Sequence, residues 1–117
     1  MEAIQYCHSK NIYYGDMKPE NLLLFRDMKV KLGDFGVSIK IPTNAKSEDT
    51  FNLLGLTYQY SKPEIGEKFN NEEAVTLKEL FENDYYCLWK SFDRIYQNFE
   101  DKIPTDCYFY QMLEDLK

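Results

Sequence analysis

Glycine is scarce and scattered: the five glycines, at positions 15, 33, 36, 55 and 66 of 117, form no G-x-G-x-x-G anywhere. These residues therefore carry no glycine-rich backbone cradle for phosphate. Cysteine is equally thin. Cys7, Cys87 and Cys107 are odd in number, widely spaced and without a C-x-x-C pair. Neither a disulfide framework nor a structural zinc site is expected, and reduced thiols point to an intracellular, cytoplasmic setting. His8 is the single histidine, and one imidazole beside Cys7 cannot complete a tetrahedral metal site. Positive charge is in deficit, with 14 basic against 20 acidic side chains, and no basic block stands out. No nucleic-acid and no membrane partner is expected from that balance. The longest apolar runs, such as Leu22-Leu23-Leu24-Phe25, fall far short of a membrane span. An N-terminus carrying Glu2, Gln5 and His8 lacks the character of a signal peptide.

What is present is a globular composition, 44% hydrophobic and 16% aromatic, in one domain's worth of chain or less. Residues 1–10 read as a helix, with Ile4 and Cys7, together with Ala3, able to face a core and Asn11 suited to the helix exit. Ile12-Tyr13-Tyr14 is a β-prone run leading into Gly15-Asp16. Residues 22–25 and 30–32, separated by a polar turn, read as an antiparallel hairpin. Residues 37–41 suit another short strand, and 42–50 carry loop chemistry. Residues 72–82 are rich in helix formers. Residues 84–99 repeat Tyr85, Leu88, Trp89, Phe92, Ile95, Tyr96 and Phe99 at the three-four spacing of a buried helical face. Asp106, after Pro104, suits the cap of a final helix.

Three short stretches carry chemistry. Asp16-Met17-Lys18-Pro19-Glu20-Asn21 comes first; Asp34-Phe35-Gly36 follows after a thirteen-residue step from Asn21; Thr57 to Glu64 reads T-Y-Q-Y-S-K-P-E. Phosphoryl transfer from a nucleotide needs a carboxylate at the attacking hydroxyl, a cation at the transferred phosphate, and oxygen ligands for Mg²⁺. These stretches supply all three. A hairpin between Asn21 and Asp34 would hold both near one metal ion.

Order and spacing resemble the eukaryotic protein kinase superfamily, Ser/Thr type, in which an Asp is followed five positions later by Asn and then by D-F-G. The third stretch resembles the T-x-x-Y-x-A-P-E end of a kinase activation segment. The resemblance implies that Asp16 orients the substrate hydroxyl and accepts its proton. It implies that Lys18 neutralises the transferred phosphoryl, and that Thr57 hydrogen-bonds both. Asn21 and Asp34 are implied as ligands of Mg²⁺, and Lys18, Asn21, Leu23 and Asp34 as contacts of bound ATP. Phe35 is expected to pack inward and set the position of Asp34. Asp84 is similar to a buried Asp that accepts backbone N–H bonds from the catalytic loop, a role compatible with a helix N-cap. The resemblance implies a mainly α fold with a small β-hairpin, a partial large lobe (C-lobe) lacking the N-lobe. Its parts would be a catalytic loop at 12–21, D-F-G at 34–36, an activation segment at 34–64, and large-lobe helices at 72–117.

The departures are local. Tyr14-Gly15 stands where the family has His-Arg, which removes the usual docking group for a phosphorylated activation segment. Lys62 replaces Ala of A-P-E, Trp89 replaces the Gly of D-x-W-S-L-G, and Glu64 has only Arg26 and Arg94 as conceivable arginine partners. Two classes of function remain. One is ATP- and Mg²⁺-dependent phosphorylation of protein Ser/Thr residues, weak or inactive in an isolated fragment. The other is a non-catalytic, pseudokinase-type module binding a partner protein. With ten Tyr, eight Phe and one Trp, uncovered apolar surface and self-association are expected in either case.

Overall fold

The computed structural model describes residues 2–24 and 30–99, apart from the side chains of Leu24 and Phe99. The chain opens with α1 (Glu2–Ser9), which buries Ile4 and Cys7 while Ala3 faces outward, against expectation. Three-four spacing places Ile4 and Cys7 on one stripe, and Ala3 lies off it. Asn11 ends the helix at a φ of 59°, the left-handed exit that Asn tolerates best after Gly.

Strand β1 (Ile12–Tyr13) follows, then a 3₁₀ turn (Pro19–Asn21) with Pro in its first positions. Strands β2 (Leu22–Leu24) and β3 (Val30–Leu32) pair antiparallel, Leu22 opposite Leu32. The turn expected between them lies outside the described residues. Strand β4 (Ile39–Lys40) returns to pair with β1, and β5 (Thr50–Phe51) pairs with β6 (Val75–Thr76). One hairpin was expected. The described residues contain three antiparallel ladders, the two extra ones spanning long separations that local patterning does not reveal.

Helix α2 (Pro63–Asn70) falls where the sequence suggested only the close of a loop. Its signals are Pro in the first turn, Glu64 beside it and Lys68 at the other end. The helix expected from 72 begins later, as α3 (Leu77–Phe99). Glu72 sits at a φ of 56° and Val75–Thr76 form β6, so the helix cannot start before Leu77. Thr76 and Glu79 fix that start reciprocally. The Glu79 N–H donates to Thr76 Oγ1 at 3.2 Å and the Thr76 N–H to Glu79 Oε1 at 3.1 Å, a capping box. The N–H groups of Leu77 and Lys78 donate to the carbonyls of Asp49 and Ser47. From 77 to 99 the helix is continuous, so Asp84 lies inside it and is no N-cap. The final helix expected after Asp106 lies outside the described residues.

Helix α3 divides the core. One cluster joins Ile4, Tyr14, Met17, Cys87 and Leu88; the other joins Tyr13, Ile41, Ile65, Val75 and Leu80. Tyr13 and Tyr14, adjacent and both fully buried, enter opposite clusters as alternation along an extended chain requires. No described helix is long and apolar enough to cross a membrane.

Candidate active site

The loop after β1 is held from below by α3. Asp84, fully buried, accepts the N–H of Tyr14 on Oδ2 and the N–H of Gly15 on Oδ1, both at 2.9 Å. His8 Nε2 also meets Oδ2 at 2.9 Å, and its ring stacks on Phe81 at 3.9 Å. An unpaired carboxylate in such a place would be prohibitively costly; three partners make it a structural anchor. Asn83, its neighbour, accepts the Lys62 N–H at 2.9 Å and donates to the Tyr13 hydroxyl at 3.1 Å. The end of the activation-segment candidate and the start of the loop are thus held by one side chain.

Gly15 adopts a φ of +84°, which L side chains rarely take. A Cβ there would stand 2.9 Å from the Tyr13 ring and 3.1 Å from the Val37 carbonyl. Glycine at this position is a fit to the loop as built, whatever an arginine there would have contributed.

Asp16, Lys18, Asn21 and Thr57 are brought together. Asn21 Nδ2 donates to the Asp16 carboxylate at 3.0 Å and to its backbone carbonyl at 2.7 Å. Thr57 Oγ1 donates to the other carboxylate oxygen at 3.2 Å, and Lys18 Nζ lies 3.7 Å from that same oxygen. The structure brings Thr57 to Asp16 across 41 positions of sequence. Together the three groups fix the direction in which the Asp16 carboxylate points.

Asp34 is placed by the hairpin, because the Gly33 N–H donates to the Asn21 carbonyl at 2.9 Å. Asp34 has a φ of 50°, and its Oδ1 accepts the Gly36 N–H at 3.0 Å. Phe35 was expected to pack inward. It is instead 50% exposed, its ring and that of Tyr14 meeting in a T-shaped arrangement at 5.0 Å. Tyr14 already fills the interior position, and its hydroxyl donates to the Gly33 carbonyl. Burial, then the charges of Asp16 and Asp34, push the Tyr14 phenol well above its ordinary value, so it remains a donor. Ser38 completes the link by donating to the Tyr14 carbonyl at 2.6 Å. Leu23 is 43% exposed on β2, lying over Gly33, where a Cβ would stand 3.0 Å from its Cδ1.

One carboxylate and one amide oxygen suit Mg²⁺, which binds through one or two protein oxygens and takes the rest from phosphates and water. The residue types at Asp34 and Asn21 fit that demand. Asn83, Ser38 and the coupling of Tyr14 to Gly33 were not foreseen. Nothing in the sequence marks Asn83, and the Thr76-x-x-Glu79 spacing was the missed signal for where α3 begins.

Comparison with known proteins identifies the family. Residues 1–83 match the family described as Protein kinase domain. The chain therefore belongs to the eukaryotic protein kinase superfamily. It is 40% identical over 79 residues to Aurora kinase A-A of Xenopus laevis, covering 68% of this chain and 18% of that protein. It is 37% identical over 87 residues to Aurora kinase B of Danio rerio, covering 74% and 26%. It is 44% identical over 73 residues to a human putative serine/threonine-protein kinase PRKY, covering 62% and 24%. The chain spans about a quarter or less of the length of the curated relatives it matches.

Proposed function

We infer that this chain supplies the phosphoryl-transfer half of a Ser/Thr protein kinase site, a large-lobe segment with residues 12–21 as catalytic loop and 34–64 as activation segment. The observation that carries the reading is the Asp16 carboxylate, oriented by the Thr57 hydroxyl and the Asn21 amide with Lys18 alongside. Asp16 accepts the proton of a protein Ser or Thr hydroxyl as the new O–P bond forms and the bond to the leaving nucleotide oxygen breaks. Lys18 lies close enough to Asp16 to meet charge on the transferred group. Asn21 and Asp34 would hold Mg²⁺, which neutralises phosphate charge when bound, and exposed Leu23 would lie against the nucleotide base.

These 117 residues include no glycine-rich covering loop, so most contacts of an ordinary nucleotide pocket are missing from them. Weak ATP affinity and weak or absent transfer are expected of the chain alone. Calorimetry with ATP and Mg²⁺ tests this, comparing the chain with Asp16→Asn and Asp34→Asn. Binding that is lost with Asp34→Asn and kept with Asp16→Asn supports the division of roles. Binding indifferent to both carboxylates and to Mg²⁺ refutes it.

A second reading, a non-catalytic module for a partner protein, is favoured by one observation: Leu23, Val30 and Phe35 are 43 to 55% exposed. Apolar surface of this kind suits a partner or a second copy. Sedimentation across a concentration series separates the cases, since an unchanging monomer argues against self-association.

A further inference from the structure

Beyond the site itself, a second concavity opens between the stretch after Thr57 and the outer half of α3. Gln59, Tyr60, Lys90, Asp93, Arg94 and Gln97 line it, enclosing about 100 Å³. A single water needs only about 10–15 Å³ by the same kind of measure, so a carboxylate or phosphate fits with water to spare. Its near wall is tied to the site. The N–H groups of Tyr60 and Ser61 both return to the Thr57 carbonyl at 3.2 Å, and the Thr57 hydroxyl reaches Asp16.

The charges in this groove are out of character with the molecule. Lys90 and Arg94 stand four apart on α3 and so share a face. Among the described residues neither has a carboxylate within 4.0 Å. The Lys90 ammonium lies 5.6 Å over the Trp89 ring, and the one acid present, Asp93, accepts a hydrogen bond from Gln97 at 3.0 Å. Two cations against one carboxylate make a positive island on a chain of net charge −6. The neighbouring concavity is the reverse: Glu64, Glu79 and Glu82 surround Lys62, which is already paired with Glu82.

We propose that this groove is a substrate subsite that selects an anionic side chain in the polypeptide presented to Asp16, with Lys90 and Arg94 as the residues that set the preference. The proposal rests on the protein kinase reading above. The anion is a carboxylate or a phosphorylated side chain; a guanidinium fork can meet two oxygens of either, and the greater charge of the phosphate favours it.

The test is fluorescence anisotropy of the full chain with labelled Ser-containing peptides. One residue, placed in successive registers around the Ser, is Asp, phosphoserine, Asn or Lys. In one register Asp or phosphoserine should bind roughly five- to tenfold tighter than Asn, with Lys weakest, the scale of one ordinary net hydrogen bond at a solvent-open site. A larger gain for phosphoserine than for Asp identifies the phosphorylated source; equal gains identify any acid. Lys90→Gln combined with Arg94→Gln should erase the discrimination, and Arg94→Glu should turn it toward Lys. Should the double variant lose helical circular dichroism, Arg94→Gln alone carries the test. Equal affinity for Asp and Asn in every register, no peptide binding at all, or discrimination that survives the variants would overturn the proposal. Because peptide binding is read without nucleotide, a preference for acid alongside ATP binding that is indifferent to both carboxylates and to Mg²⁺ would count against the kinase reading and not against the groove.

Discussion

The loop that carries Asp16 and the stretch Asp34-Phe35-Gly36 lie side by side but are built in opposite ways. Around Asp16 nearly every neighbour is interior: Tyr13, Tyr14 and Met17 are 0 to 2% exposed. From a helix, Asp84 holds the loop backbone and Asn83 the Tyr13 hydroxyl. Around Asp34 the flanks are pinned, by Gly33 to Asn21 and Ser38 to Tyr14, while Asp34, Phe35 and Gly36 themselves face outward. A carboxylate that must point at one hydroxyl gains from rigid support. A ligand for an exchangeable ion needs only to be brought near. The difference in burial therefore matches a difference in task.

Breaking the anchor should produce the largest effect. Asp84→Ala strands two buried N–H groups and the His8 ring, and at least ~3 kcal/mol of stability should be lost. A urea unfolding curve displaced by less than about 1 kcal/mol would mean that the loop does not depend on α3. Alkaline pH should come next. Burial pushes the Cys87 thiol up to about 12 from an ordinary 9.0, and pushes the Tyr13 phenol upward as well. Between those limits the unfolded chain releases a proton that the folded chain keeps, so stability falls as pH rises. The slope is about 1.4 kcal/mol per pH unit for each such group, with a plateau below pH 9. Thermal unfolding from pH 7 to 11 reads it, and Tyr13→Phe should flatten the upper part. An unchanged midpoint across that range would show that these groups titrate as in water.

Gly15→Ala should cost about 1–3 kcal/mol, from the left-handed backbone and the crowded Tyr13 ring. Tyr14→Phe should cost about 1 kcal/mol, for one buried hydrogen bond lost without a new cavity. Asp34→Asn should be nearly silent in stability, within about 0.5 kcal/mol, because Asn tolerates the same φ and the position is exposed. If Asp34→Asn destabilised the chain as strongly as Asp84→Ala, the contrast between the two regions would collapse.

Local chemistry was readable in the sequence where it stands in local runs. The first helix, the Asn11 exit, the hairpin and the three motif stretches all follow from residues within a few positions of one another. The chain hid whatever depends on distant partners. β5 and β6 are two residues each and meet across some twenty-five positions, so no periodicity announces them. Phe35 lost the interior to Tyr14 because two aromatic rings compete for one space, and sequence gives no ranking. Asp84 was legible only through its resemblance to a buried Asp that accepts loop N–H groups, which the structure bears out; the compatible cap reading failed, since its partners are 69 to 76 positions away.

Those separations have a consequence in time. The loop bearing Asp16 is made before the carboxylate that holds its backbone, which follows some seventy residues later. Closing so long a loop is entropically slow to be rewarded, and no local element can substitute for it. During synthesis the loop must therefore wait, its two buried tyrosines uncovered, until the middle of α3 has emerged. A ribosome paused between Glu64 and Asn83 would have made a chain that contains every motif residue and has no site.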